Sequence, residues 1–188
     1  MVRAAKRFGL ALGILAFATV CYLAFLHVTG NFHEVSKGRV YRAAQMDGQA
    51  LARWKREYQI ASVLNLRGEN AGADWYETEL ALTDRLGIEH IDFRMSASKE
   101  LDEAQVRALL EVMKAAPKPM LIHCLGGADR TGLASALYVA GIEGGGEEAA
   151  EWQLSLAFGH VGIPWISRAW AMDTTWEDME PWLGFPDS

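Results

Sequence analysis

Cysteine is nearly absent from this chain, with two in 188 residues. Cys21 lies inside an apolar run near the N-terminus, so Cys124 stands alone in the remainder and an intrachain disulfide framework there is excluded. His27, His33, His90, His123 and His160 are scattered and never reach metal-ligand spacing with a cysteine. A structural zinc is therefore not expected, and no metal or other cofactor is predicted. Basic charge is also in deficit. The net charge is -6, and a nucleic-acid partner ordinarily calls for a basic surface. Internal repeats, low-complexity tracts and long runs of one charge sign are missing too. What is left is a chain of one-domain length whose 51% hydrophobic content can fill a packed core.

The longest stretch without charge is "FGLALGILAFATVCYLAFL", Phe8 to Leu26. At about 1.5 Å per residue, such a helix just crosses a bilayer core of ~30 Å. Arg3, Lys6 and Arg7 precede it, the pattern of a segment whose start stays cytoplasmic. A cleaved signal peptide begins the same way. Its apolar region is ordinarily shorter, at ~7–15 residues, and no clean Ala-x-Ala site follows here. "ATVC" is a poor lipoprotein cleavage site, because Val20 is large where a small residue is expected. The reading is an uncleaved single-pass anchor through residues 8–26. Residues 1–28 then form a basic start and anchor, and residues 29–188 form a soluble domain placed outside the cytoplasm, in a periplasm-like compartment.

Beyond the anchor, strand-like and helix-like segments alternate. "GRVYRAA" is a short strand. "DGQALARWKREY" is a helix with Asp47 as N-cap. "IASVLNLRG" is a buried strand, and "DWYETELALTDRLG" is a helix with an Asp74–Glu77 capping box and Gly87 as its stop. "IEHIDFRM" alternates, with Ile91, Phe93 and Met95 on one face. "DEAQVRALLEVMKAA" spaces Val106, Leu109, Leu110 and Met113 as a helix core stripe, and Pro117 ends it before the strand "MLIHC". A helix from Arg130 to about Ile142 follows, then a break at Glu143–Gly146 and the helical "EEAAEWQLSLAF". Such alternation predicts an α/β fold with a mostly parallel sheet flanked by helices. Ligands in these sheets bind beyond the carboxyl ends of the strands, where Cys124 falls.

The chemistry concentrates in "HCLGGADRTG", where Cys124 to Thr131 fit C-x5-R-[S/T]. A tight loop between strand and helix turns backbone N–H groups inward and makes a nest for an oxyanion. Gly126 and Gly127 allow unusual dihedrals and a close backbone approach, and the helix N-terminus at Arg130 adds partial positive charge. A cysteine in such a place is held as thiolate. Arg130 can grip two phosphoryl oxygens with its planar fork, where lysine would be only a point charge. Thr131 can donate a hydrogen bond to the sulfur. The pattern predicts attack of Cys124 on phosphorus, a phosphocysteine and its hydrolysis by water, with positioned charge supplying most of the rate.

This loop resembles the signature of cysteine-based protein tyrosine and dual-specificity phosphatases, in the branch whose loop ends Asp-Arg-Thr-Gly. "GRVYRAAQ" and "VLNLRGEN" are similar to the early strands of bacterial and Siw14-like members, and "EEAAEWQLSLAFGHVG" to the helical region after their loop. The resemblance spans roughly residues 32–178 and implies the cysteine-phosphatase fold. It makes Cys124 the nucleophile, Arg130 the phosphate-binding arginine and Thr131 the assisting hydroxyl. Leu125, Gly126, Gly127, Ala128 and Asp129 supply backbone N–H groups, and His123 orients the loop.

A general acid is missing from its usual place. The family carries an aspartate on the loop after the preceding strand; here that loop is "MSASKELDEAQ", with Ser98 or Lys99 at the position. Asp102 is the nearest candidate and ranks first, although with Gln105 it also forms a capping box. Asp129 inside the loop is second, and would have to be protonated or mobile. Asp92 on its strand is third. The expectation is a phosphomonoester hydrolase acting on phosphoprotein. A membrane lipid phosphate, an inositol polyphosphate, an idle phosphate-binding module and sulfur transfer of the rhodanese kind stand as alternatives. The cluster Trp152, Trp165, Trp170, Trp176 and Trp182 reads as a helical core cap, or as a lid at a membrane interface.

Overall fold

The alternating apolar runs fold into a five-stranded sheet in the order β1-β2-β5-β3-β4. The strands are β1 His33–Ser36, β2 Val40–Ala43, β3 Ser62–Asn65, β4 Glu89–Asp92 and β5 Met120–His123. The computed structural model describes residues 2–186. Pairs β2–β5, β5–β3 and β3–β4 are parallel, and only β1 runs antiparallel, along β2. β1 was not foreseen: "HEVS" buries just Ser36 and shows no apolar alternation, so only its neighbour reveals it.

Consecutive residues of a strand point to opposite faces, and each face has its own helices. Val40, Leu64 and Ile122 join the stripe of α4 (Glu103–Ala115) and the buried helix α5 (Asp129–Gly141) on one side. Tyr41, Val63 and Leu121 pack on the other side against Leu51 and Trp54 of α2 (Gly48–Tyr58) and Leu82 of α3 (Asp74–Leu86). Burial on both faces explains why these strands read as continuous apolar runs. α6 (Glu147–Glu151), a 3-10 turn at Leu156–Phe158 and α7 (Trp170–Leu183) complete the α5 side.

Three local expectations need correction. Asp74 is the first residue of α3 and not its cap. Ala73 is the N-cap, with no side-chain bond, and Glu77 accepts from Gly72 N. α5 begins at Asp129, one residue earlier than expected. The helix read over "EEAAEWQLSLAF" is also cut short, since α6 ends at Glu151 and only a 3-10 turn follows at Leu156–Phe158; Asp47 does cap α2, and Gly87 closes α3 in a left-handed conformation.

The N-terminal run lies within a long helix, α1 (Val2–Thr29). From Leu12 to Thr29 it is apolar and almost wholly exposed, so it is not the core helix of this domain. Its last turns nevertheless touch the domain. Leu26 is buried, Tyr22 Oη donates to Ala157 O, and Asn31 N donates to Leu26 O.

Candidate active site

β5 is the central strand, and Cys124 follows its carboxyl end with 3% exposure. The loop from Cys124 to α5 is held entirely from behind. Gln45 N donates to Leu125 O at 3.0 Å. Asn31 Nδ2 donates to Gly126 O at 3.0 Å and also to Phe158 O at 2.8 Å. Arg42 Nη2 donates to Gly127 O at 2.9 Å and Ala128 O at 3.3 Å, and His123 Nδ1 lies 3.3 Å from Cys124 O. Every carbonyl from Cys124 to Ala128 thus points to an outer partner. The N–H groups of Leu125 to Asp129 meet no hydrogen-bond acceptor among the described residues. A row of such donors beside a helix N-terminus is an anion cradle.

Arg42 is the main fixture of that outer ring. It is fully buried, stacks 3.9 Å over the Phe158 ring, and its other nitrogen donates to Gln153 O and Oε1 at 2.8 and 2.9 Å. Burial pulls its guanidinium down to about 9, so it still carries charge at neutral pH. Sequence reading passed over Arg42. The available signal was a charged residue inside the apolar strand "VYRA", which can be buried only where several carbonyls await it.

Gly127 alone requires glycine here. Its φ is +68, and a Cβ would sit 2.6 Å from the Ala43 and Ala44 backbone. The expectation that Gly126 shares unusual dihedrals is corrected: its φ is ordinary, and a Cβ would meet nothing within 4 Å.

Arg130, on the first turn of α5, reaches Leu66 O and Met95 O only at 3.4 and 3.3 Å, and its Nε has no partner. Thr131 Oγ1 is likewise buried and unpaired. Unpaired buried donors around one loop call for a group that completes them. Both belong to the pattern read from the sequence.

His123 is fully buried, and its Nε2 lies 3.1 Å from Glu79 Oε1. Glu79 also receives His90 Nε2 at 2.8 Å and Gln45 Nε2 at 2.6 Å. Burial pushes its carboxyl up, but the bonds from His123, His90 and Gln45 outweigh this and hold it below the usual carboxylate range. Gln45 Oε1 accepts from Arg67 Nη1 at 2.8 Å, and the Arg67 guanidinium lies 3.4 Å over the Trp75 ring. Burial lowers the Arg67 pKa, the Arg130 charge adds to this, and the Glu79 carboxylate opposes it. Sequence reading missed Glu79 and Arg67 because their roles depend on partners far along the chain.

The acid candidates separate clearly. Asp102 caps α4: its Oδ1 accepts from Gln105 N at 2.8 Å, and Gln105 Oε1 accepts from Asp102 N at 3.0 Å. The competing capping box is real, and the side chain is exposed. Asp92 accepts from Asn65 Nδ2 and Tyr76 Oη. Asp129 lies in the loop itself with a side chain one-third exposed (33%), and its Oδ1 is 2.8 Å from His160 Nδ1. His160 Nε2 faces Asp173 at 3.0 Å.

A profile of the tyrosine phosphatase family matches residues 26–145, well over half of the chain. The chain belongs to the tyrosine phosphatase family. These are cysteine-based phosphoric monoester hydrolases. No curated protein matches it. Among solved structures it is similar to TpbA of P. aeruginosa, at 23% identity over 80% of this chain and 85% of that one, with a TM-score of 0.64. A variant of TpbA in complex with pTyr matches at 22% over 85% and 93%, TM-score 0.65. The core catalytic domain of the PP-IP phosphatase SIW14 from S. cerevisiae, in complex with citrate, matches at 18% over 82% and 93%, TM-score 0.59. These likenesses establish a shared fold.

For a tyrosine phosphatase family chain, the C-terminal tryptophans divide. Trp176, on α7, is buried in the core cluster that includes α5, in keeping with a core cap. Trp152 and Trp165 are 59% and 97% exposed and are not part of the core.

Proposed function

We propose that this chain hydrolyses phosphomonoesters through a phosphocysteine on Cys124, without a metal. The observation that carries this reading is the cradle: five carbonyls held outward, five N–H groups left free, and Cys124 at its base. The N–H groups of Leu125, Gly126, Gly127, Ala128 and Asp129 bind phosphoryl oxygens, and Arg130 closes over two of them. These positive ends favour the Cys124 thiolate. Thr131 offers its unpaired hydroxyl to the sulfur as it attacks and leaves. His123, clamped by Glu79, keeps the loop in register.

The thiolate attacks phosphorus as the ester oxygen departs, and water then cleaves the S–P bond. Asp129 is the better proton donor, because it stands in the loop while Asp102 is engaged as a cap. This reverses the sequence ranking.

Phosphotyrosine or phosphoserine/threonine in a protein is the substrate class the family and the pTyr-bound relative support. A lipid phosphate is a second reading, favoured by the exposed α1 and by its contact with the domain through Leu26 and Tyr22. Those contacts also favour a retained single-pass anchor over a cleaved signal, with residues 29–188 as an extracytoplasmic phosphatase domain. An inositol phosphate is a third option. Full-length protein and Cys124→Ser, assayed against phosphopeptides, phospholipid phosphates and inositol phosphates, test the proposal. Turnover abolished in Cys124→Ser is expected; equal turnover by both would reject it, and binding without turnover would make the chain a phosphate-binding module.

A further inference from the structure

Asp129, proposed above as the acid, also lends its free N–H to the cradle, so its carboxylate adds negative charge next to the proposed phosphate site. For Asp129 to act as an acid that charge must be neutralised by a proton. His160 lies directly behind Asp129, with a side chain 2% exposed. It belongs to the turn that follows Leu156–Phe158, and its N–H donates to Ser155 O. The ring is pinned at both ends, by Asp129 Oδ1 at 2.8 Å and by Asp173 Oδ2 at 3.0 Å and Oδ1 at 3.1 Å. Asp129 comes from the start of α5 and Asp173 from the first turn of α7; they are the charged groups facing the ring. Glu148, Glu151 and Glu177 line the hollow on the far side of Asp173 and add negative charge.

We propose that His160 is the proton store of the site, loading Asp129 in the first half of the reaction and taking the proton back in the second, with Asp173 as the carboxylate that orients it. The inference rests on the phosphocysteine reading above. It makes His160 a positioning residue that acts through Asp129 and never touches the substrate.

The balance of the steps is simple. With both ring nitrogens protonated, Nδ1–H donates to Asp129 and Nε2–H to Asp173. An incoming phosphate dianion raises the proton affinity of the neighbouring Asp129 carboxylate, since like charges oppose ionisation. Nδ1 gives its proton to Asp129. The thiolate forms the S–P bond, the P–O bond of the ester breaks, and Asp129 protonates the departing oxygen. In the second half Asp129 takes a proton from the attacking water and returns it to Nδ1, while the S–P bond breaks and the thiolate is restored. Asp173 keeps Nε2–H throughout, as an orienting carboxylate does for other catalytic imidazoles.

The same geometry sets a pH limit. Burial alone would lower the His160 pKa, but its bonds to Asp129 and Asp173 raise it to about 9. The store is therefore full at neutral pH and empties as pH rises through about 9.

The test uses the full-length protein with two aryl esters, p-nitrophenyl phosphate with a good leaving group and phenyl phosphate with a poor one. His160→Asn is expected to lose about 10²-fold on phenyl phosphate and little on p-nitrophenyl phosphate. In a second variant, Asp173→Asn, the alkaline limb of kcat should move to lower pH while activity near pH 6 persists. Equal losses on both esters in His160→Asn, or an unmoved alkaline limb in Asp173→Asn, would overturn the proposal. Cys124→Ser separates the two levels: if it still turns over either ester, it is the phosphocysteine reading that has failed.

Discussion

The loop after β5 and the loop after β4 leave the same edge of the sheet, yet they solve different problems. The first, from Cys124 to the start of α5, has the carbonyls of Cys124 to Ala128 tied from outside, which leaves the N–H groups of Leu125 to Asp129 free. The second, Ser96 to Asp102, is largely exposed, and Asp102 at its end is committed to starting α4. The contrast shows that the cradle is built by a backbone braced from outside, whereas the other loop spends its terminal carboxylate on capping a helix.

The contrast can be broken first at Arg130. Arg130→Lys retains the charge and loses the fork, and should lower kcat by about 10²–10³-fold with the fold intact. Steady-state kinetics on p-nitrophenyl phosphate, with thermal unfolding as control, would check it. A loss under tenfold would mean that the N–H groups alone hold the phosphate.

Arg42 tests the outer ring. Arg42→Ala leaves the carbonyls of Gly127 and Gln153 without their donor in a buried place, and should destabilise the protein by about 3 kcal/mol. Inhibition by inorganic phosphate should weaken as well, because the cradle loosens. Denaturant unfolding and phosphate inhibition read the two effects separately.

The smallest effect belongs to the other loop. Asp102→Ala removes the cap of α4 and should cost about 1 kcal/mol in stability, while kcat on phenyl phosphate stays within about twofold. A large loss on phenyl phosphate with p-nitrophenyl phosphate spared would restore Asp102 as the acid.

Legibility in the sequence followed the range of the interactions involved. The strands β2, β3 and β5 were readable because burial on both faces makes them plain apolar runs. Cys124, Arg130 and Thr131 were readable because a strand-loop-helix cradle is built from contiguous residues. The residues that brace the cradle were not. Asn31, Arg42, Gln45 and Glu79 converge on it from β2, α3 and the segments around them, and nothing local marks them for that task. His160 escaped for the same reason, since its two carboxylates come from the starts of α5 and α7. Gly126 shows the opposite error: pattern grouped it with Gly127, though only Gly127 has the left-handed backbone.

The central claim is that Cys124 carries the phosphoryl group. Acid quenching during turnover of p-nitrophenyl phosphate, followed by peptide mapping under acidic conditions, would locate it. Phosphate is expected on the Cys124 peptide in the native chain and none in Cys124→Ser. Phosphate found on another residue, or a Cys124→Ser protein that still hydrolyses the ester, would contradict it.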